Sequence, residues 1–160
     1  MNVKNTFKGD SFTYAFARIN ESLKAGYPLE AVTLAESIIS DRLYSFVKHH
    51  EEQPTNAKKL PQKEKKAKHN TNFATLITKA KRFNTMSMPT NDKVPIDMFV
   101  ALNEWRIQRN QCVHAAAKSE PGTETIPVQT FIDMAESAAI RGKELARLVC
   151  AWHRKVKQQS

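Results

Sequence analysis

The sequence predicts an all-α domain, a bundle of about five helices closed by a long C-terminal one. Apolar residues recur at helical spacing over most of the chain. Only 4 Gly are present, and the 7 Pro fall between periodic segments or at their edges, the reverse of a many-turned β architecture. With 160 residues, 41% of them hydrophobic, there is enough chain for one core and too little for two, so 1–160 reads as a single domain.

The first helix is expected to start at Asp10 or Ser11, either of which can cap it, and to stop at Gly26. Phe12, Phe16, Ile19 and Leu23 form its inner row, and Met1 to Lys8 reads as a lead-in. Pro28 suits the first turn of a second helix running to about His50. Its inner row is Leu29, Val32, Glu36, Ile39, Leu43, Phe46 and His50, interrupted by Glu36. Two readings of Glu36 stay open: a margin carboxylate reaching water, or a buried one paired with Arg106 or Arg109 of a facing helix. From about 51 to 70 the periodicity vanishes. Lys58, Lys59, Lys63, Lys65, Lys66 and Lys68 stand within eleven residues beside one Glu, a composition that predicts a flexible basic loop. That loop is either an electrostatic arm for RNA phosphates or a solvated linker. His49-His50-Glu51-Glu52 is metal-capable in composition, but neighbours on a helix point apart, so no metal site is expected there.

Thr71 or Asn72 caps a third helix carrying Phe73, Leu76, Ile77, Ala80 and Phe83, and Thr85 to Val94 reads as a connector. The fourth helix spans about Pro95 to Lys118, and Ser119-Glu120-Pro121-Gly122 stops it. The last begins at Thr125 or Ile126, has Pro127 in its first turn and runs to about Gln158. Its row is Phe131, Ala135, Ala138, Gly142, Leu145, Val149, Trp152 and Val156, with His153 read as a margin residue. Small residues in mid-row allow a neighbouring helix to come close around Ala138 and Gly142.

A formal charge of +9 favours a polyanionic partner, nucleic acid first, although solubility plus one basic loop accounts for it equally well. Cys112 and Cys150 lie in different helices without metal-ligand spacing and read as small core residues of a reducing compartment. No apolar run suits a membrane span, and a polar start bearing Asp10 is unlike a signal peptide; a cytoplasmic location is expected. Neither metal nor cofactor is expected.

The fourth helix carries the chemistry. One row is Ile96, Phe99, Asn103, Arg106, Asn110, Val113 and Ala117; the next is Met98, Leu102, Trp105, Arg109, Cys112 and Ala116. Polar residues among apolar ones need partners, because an unpaired buried charge is costly. His114 can exchange a proton near neutral pH, and Arg109 offers a planar fork to a phosphate oxygen. Five residues apart, they point about 140° apart around the helix and lie about 7.5 Å apart along it, whereas Asn110 and His114 share a face. Either Arg109 bends round toward His114, or a two-fold axis that joins two copies completes the site.

Arg109-Asn110-Gln111-Cys112-Val113-His114 resembles the R-N-x-x-x-H form of the Rx4–6H motif of HEPN domains, helical domains of prokaryotes and higher eukaryotes. The likeness spans Ser11 to Lys157 in helix order, though its specific part is six residues. It implies a helical bundle that often dimerises through the motif helices. It also implies metal-independent RNA cleavage by Arg109 and His114, with Asn110 as the polar residue between them and Glu36 matched by position in the helix order. Such proteins act as toxins or in antiviral defence, with an antitoxin or defence partner; some are non-catalytic. Toxins of this family neutralised by a nucleotidyltransferase carry Tyr two residues beyond the His. Ala116 stands there, so that modification is not available.

Overall fold

The computed structural model describes residues 6–53, 71–87, 97–117 and 126–158, all but a few of them helical. Five helices follow in order: α1 (Thr6–Lys24), α2 (Pro28–Glu52), α3 (Phe73–Ser87), α4 (Asp97–Ala117) and α5 (Val128–Gln158). No strand occurs among the described residues, and none of their helices is long and apolar enough to cross a membrane.

α1 begins earlier than Asp10 or Ser11. The Thr13 hydroxyl donates to the Gly9 carbonyl at 3.2 Å, a contact made only if the helix already runs through Gly9. Gly9 and the polar residues around it lower helix propensity without blocking it. The other end is as expected. Gly26 takes φ 78°, Tyr27 N–H donates to Ser22 O at 2.8 Å, and Gly26 N–H reaches Leu23 O at 3.3 Å. This pair of bonds, closed by a left-handed residue that glycine adopts without steric cost, turns the chain directly into Pro28 of α2. An exposed Arg18–Glu30 pair at 2.9 Å spans the hairpin.

α2 extends through Glu51 and Glu52, so the segment expected to loosen at 51 starts helical; Lys58 to Lys68 lie outside the described residues. Asn72 is the cap of α3: its Oδ1 accepts the Thr75 N–H at 2.8 Å. α3 also runs through Thr85 to Ser87, which the connector was expected to include. Its next turn is available because nothing before Pro89 forbids it.

α2 is the central helix, packed against α1, α3 and above all α5. Val32, Ile39, Leu43 and Phe46 of α2 meet Ala138, Leu145, Val149 and Trp152 of α5 in one core, to which α3 adds Ile77 and Phe83. Trp152 stacks at a tilt on Phe46, ring centroids 4.6 Å apart, and donates to Asn84 Oδ1 at 3.3 Å. His153 is buried, not marginal. It sits four residues past Val149 and three before Val156, within the buried row, because α5 is covered over a wider arc than a single stripe. Cys112 is fully buried and Cys150 half-buried at the core's edge.

At the far end of α2 the Lys79 ammonium and the Glu51 carboxylate meet at 2.6 Å, both nearly sealed from water. Beside them His50 is buried against Phe46 and Phe83, with Nδ1–H donating to Phe46 O at 2.9 Å. Burial pushes the His50 pKa below its ordinary value.

α4 crosses α5 antiparallel: Trp105 meets Ala138 and Gly142, while Phe99 reaches Trp152. The Trp105 indole N–H donates to Ala138 O at 2.8 Å. A β-carbon placed on Gly142 would fall 2.6 Å from Trp105 Cζ2. The small residues of α5 therefore form the seat of one tryptophan, which fixes α4 in rotation and height. That seat positions the site.

Candidate functional site

Trp105 lies fully buried, and one turn later on the same helix comes Arg109. With the row Met98, Leu102, Trp105 and Cys112 sunk in the core, Arg109 must point toward α2 and α3. Glu36 of α2 meets it there: its Oε1 accepts from Arg109 Nη2, with about a fifth to a quarter of each side chain exposed. The pair is with Arg109 and not Arg106, whose Nε donates to Asn103 Oδ1 at 3.1 Å on a more open face. Glu36 is the sole interruption of its apolar row because α4 supplies a cation opposite it.

The second terminal nitrogen of Arg109 donates to Asn110 Oδ1 at 2.6 Å. The Phe73 ring, at the start of α3, lies 5.9 Å from the guanidinium carbon. The buried Nε has no hydrogen-bond partner among the described residues. Glu36, Asn110 and Phe73 thus hold the guanidinium from three sides, a geometry with little rotational freedom. Phe73 reads from sequence as plain core; its place at the first turn of α3, after Asn72, brings it to the arginine.

His114 lies one turn beyond Asn110 and is exposed. It shares a row with Val100 and Ile107, seven residues apart, and these are 44% and 47% exposed. Val113 beside it is 42% exposed. Hence α4 turns one face inward, carrying Arg109, and another outward, carrying apolar residues and His114. The structure brings Glu36, Arg109 and Asn110 together. It does not bring His114 into contact with them within one chain, in keeping with the angle the helix imposes. Glu36 also borders a cleft of about 280 Å³ beside Ser37, Ser40 and Tyr44, so its carboxylate is open to solvent on one side.

Among the described residues no three of His, Cys, Asp and Glu converge in a way that could hold a metal ion. The six lysines named from the sequence lie outside the described residues. A comparison with protein-family models finds no match to this chain, and comparisons with curated proteins and with solved structures find none either.

Proposed function

We propose that the chain is a metal-independent endoribonuclease of the HEPN type, working as a homodimer in which α4 faces its copy. The observation that carries this reading is the immobilised guanidinium of Arg109, clamped by Glu36 and by Asn110, which itself lies one helical turn before an exposed histidine. RNA brings its own nucleophile, the 2′-hydroxyl, so this reading asks the protein only for acid–base and charge-stabilising groups.

In the proposed reaction the 2′-oxygen attacks phosphorus and the P–O5′ bond breaks. His114 of one copy removes the 2′ proton, and His114 of the other protonates the departing 5′-oxygen. Arg109 offsets charge on the five-coordinate phosphorus, and Asn110 orients the phosphate. The products are a 2′,3′-cyclic phosphate and a 5′-hydroxyl. The outward row Val100, Ile107 and His114 supports the dimer, because an exposed apolar row ending in the acid–base group suits a symmetric contact that juxtaposes two histidines. The lysines from 58 to 68 would add electrostatic attraction for RNA. A toxin or defence setting, with a neutralising partner, follows only from the resemblance.

One observation favours a second reading, a non-catalytic module that binds RNA or nucleotide or serves as a partner in a defence complex. Both terminal nitrogens of Arg109 are engaged within the chain, which suits a structural clamp as well as a phosphate fork. The test is incubation with RNA in excess chelator, with His114→Ala alongside. A positioned acid–base group contributes about 10²–10⁴-fold in rate, so the variant should lose that much cleavage and keep its RNA affinity. Equal cutting of a 2′-deoxy substrate would refute the mechanism, and absence of cleavage with retained RNA binding would favour the module.

A further inference from the structure

We propose that the cleft between α1, α2 and α5 binds a small phosphate monoester with an apolar or aromatic body, at a place separate from α4 and independent of the ribonuclease reading. The cleft measures about 470 Å³, within the roughly 300–1,000 Å³ of small-ligand sites. α1 contributes Phe12 and Phe16, α2 contributes Arg42, and α5 contributes Cys150, Arg154 and Lys157. The last three are spaced four and three residues apart and so share one face of α5. Half-buried Phe12, Phe16 and Cys150 supply apolar surface and Arg154 and Lys157 stand exposed beside it, the division expected for a ligand with one charged end.

Arg42 is set in place before any ligand arrives. Its guanidinium lies 4.2 Å over the Phe12 ring, and Asp41 Oδ2 accepts from its Nε at 3.1 Å and Nη2 at 2.8 Å. Nη1 lies outside that pair. Three cations against the one carboxylate that holds Arg42 leave two positive charges, matching a dianionic monoester. None of the described residues lining the cleft is a carboxylate. Burial pushes the Cys150 thiol up, outweighing the pull of Arg42 and Arg154, so it adds no competing negative charge at neutral pH.

Cys150 also supplies the readout. The chain's other cysteine, Cys112, is fully buried, so carbamidomethylation of the folded chain followed by peptide mass reports on the cleft. The probes are adenosine monophosphate, ribose 5-phosphate, inorganic phosphate and adenosine. Adenosine monophosphate should slow labelling of Cys150 saturably, by about eleven-fold at ten times its Kd. Ribose 5-phosphate and phosphate should protect at higher concentration, and adenosine should not protect. Arg154→Glu with Lys157→Glu, both at exposed positions, should abolish protection while leaving the melting curve intact. Equal protection by adenosine, undiminished protection in the double variant, or no protection by any phosphate at about 10 mM, beyond the millimolar range of weak ligands, overturns the proposal.

Discussion

Substituting Gly142 by alanine sets two known effects against each other, and the structure decides between them. In a helix interior alanine is favoured over glycine by about 0.8–1 kcal/mol, so at an open position the change would stabilise. At Gly142 the new methyl carbon would stand 2.6 Å from Trp105 Cζ2 and 2.9 Å from Cε2, well inside the separation that real side chains tolerate. Both neighbours are rigid: the indole is fully buried and its N–H is tied to Ala138 O at 2.8 Å. Relief therefore requires α4 to move away from α5. Overpacking of this kind costs about 1–3 kcal/mol, and loosening the indole hydrogen bond about 0.5–1.5 more. After the propensity gain, a net loss of about 2 kcal/mol is expected, a fall in Tm of about 4–8 °C for a chain of this size. Thermal unfolding followed by circular dichroism measures it. Because Arg109 follows Trp105 by one turn, the same displacement should loosen the Glu36 clamp, so the RNA cleavage or binding proposed above should fall before the protein melts. Pairing the substitution with Trp105→Phe, whose single ring stops short of the indole's outer edge at Cζ2, should restore part of the stability. A Gly142→Ala protein as stable as the parent would refute the close-packed seat.

Glu36→Ala and Arg109→Met should each destabilise by about 1–3 kcal/mol, between the values for surface and fully buried pairs. The double variant should lose less than their sum; strict additivity in urea unfolding would show that the two do not couple. Lys79→Met removes one buried partner of the Glu51 carboxylate and should destabilise by up to about 3–5 kcal/mol, with Glu51→Leu in the same chain recovering part of it. His50 is held neutral by burial, so the unfolded chain takes up its proton at a higher pH than the folded one. Stability should accordingly fall as pH drops below about 6.5, by at most about 1.4 kcal/mol per pH unit from this group; His50→Leu should flatten that slope in urea midpoints.

The helices and their inner rows were legible because each row obeys its period: Phe73, Leu76, Ile77, Ala80 and Phe83 are all buried as the spacing requires. Glu36 was legible as an anomaly, and its partner could be narrowed to two arginines, but choosing Arg109 needed the rotation of α4. The Trp105 seat sets that rotation, through a contact between residues far apart in sequence. The Lys79–Glu51 pair went unread because a lysine beside an apolar row usually reaches water, and only the end of α2 lying over α3 closes that route. His153 was misplaced for a related reason: a single row underestimates burial on a helix flanked by neighbours on several sides.

The position of α5 in the chain shapes how this protein folds. The main layer of the core joins α2 to α5, as when Phe46 stacks on Trp152, so its key contacts bridge widely separated parts of the sequence. Helix bundles with local contacts close quickly, whereas long-range closure delays the rate-limiting step. The α1–α2 hairpin, fastened by Gly26 and Tyr27, can form as soon as it is synthesised. Its apolar row of Val32, Ile39, Leu43 and Phe46 is then only partly covered by α1 and α3 until α5 has been made. The interval before α5 docks is when this chain is most exposed to self-association and to chaperones.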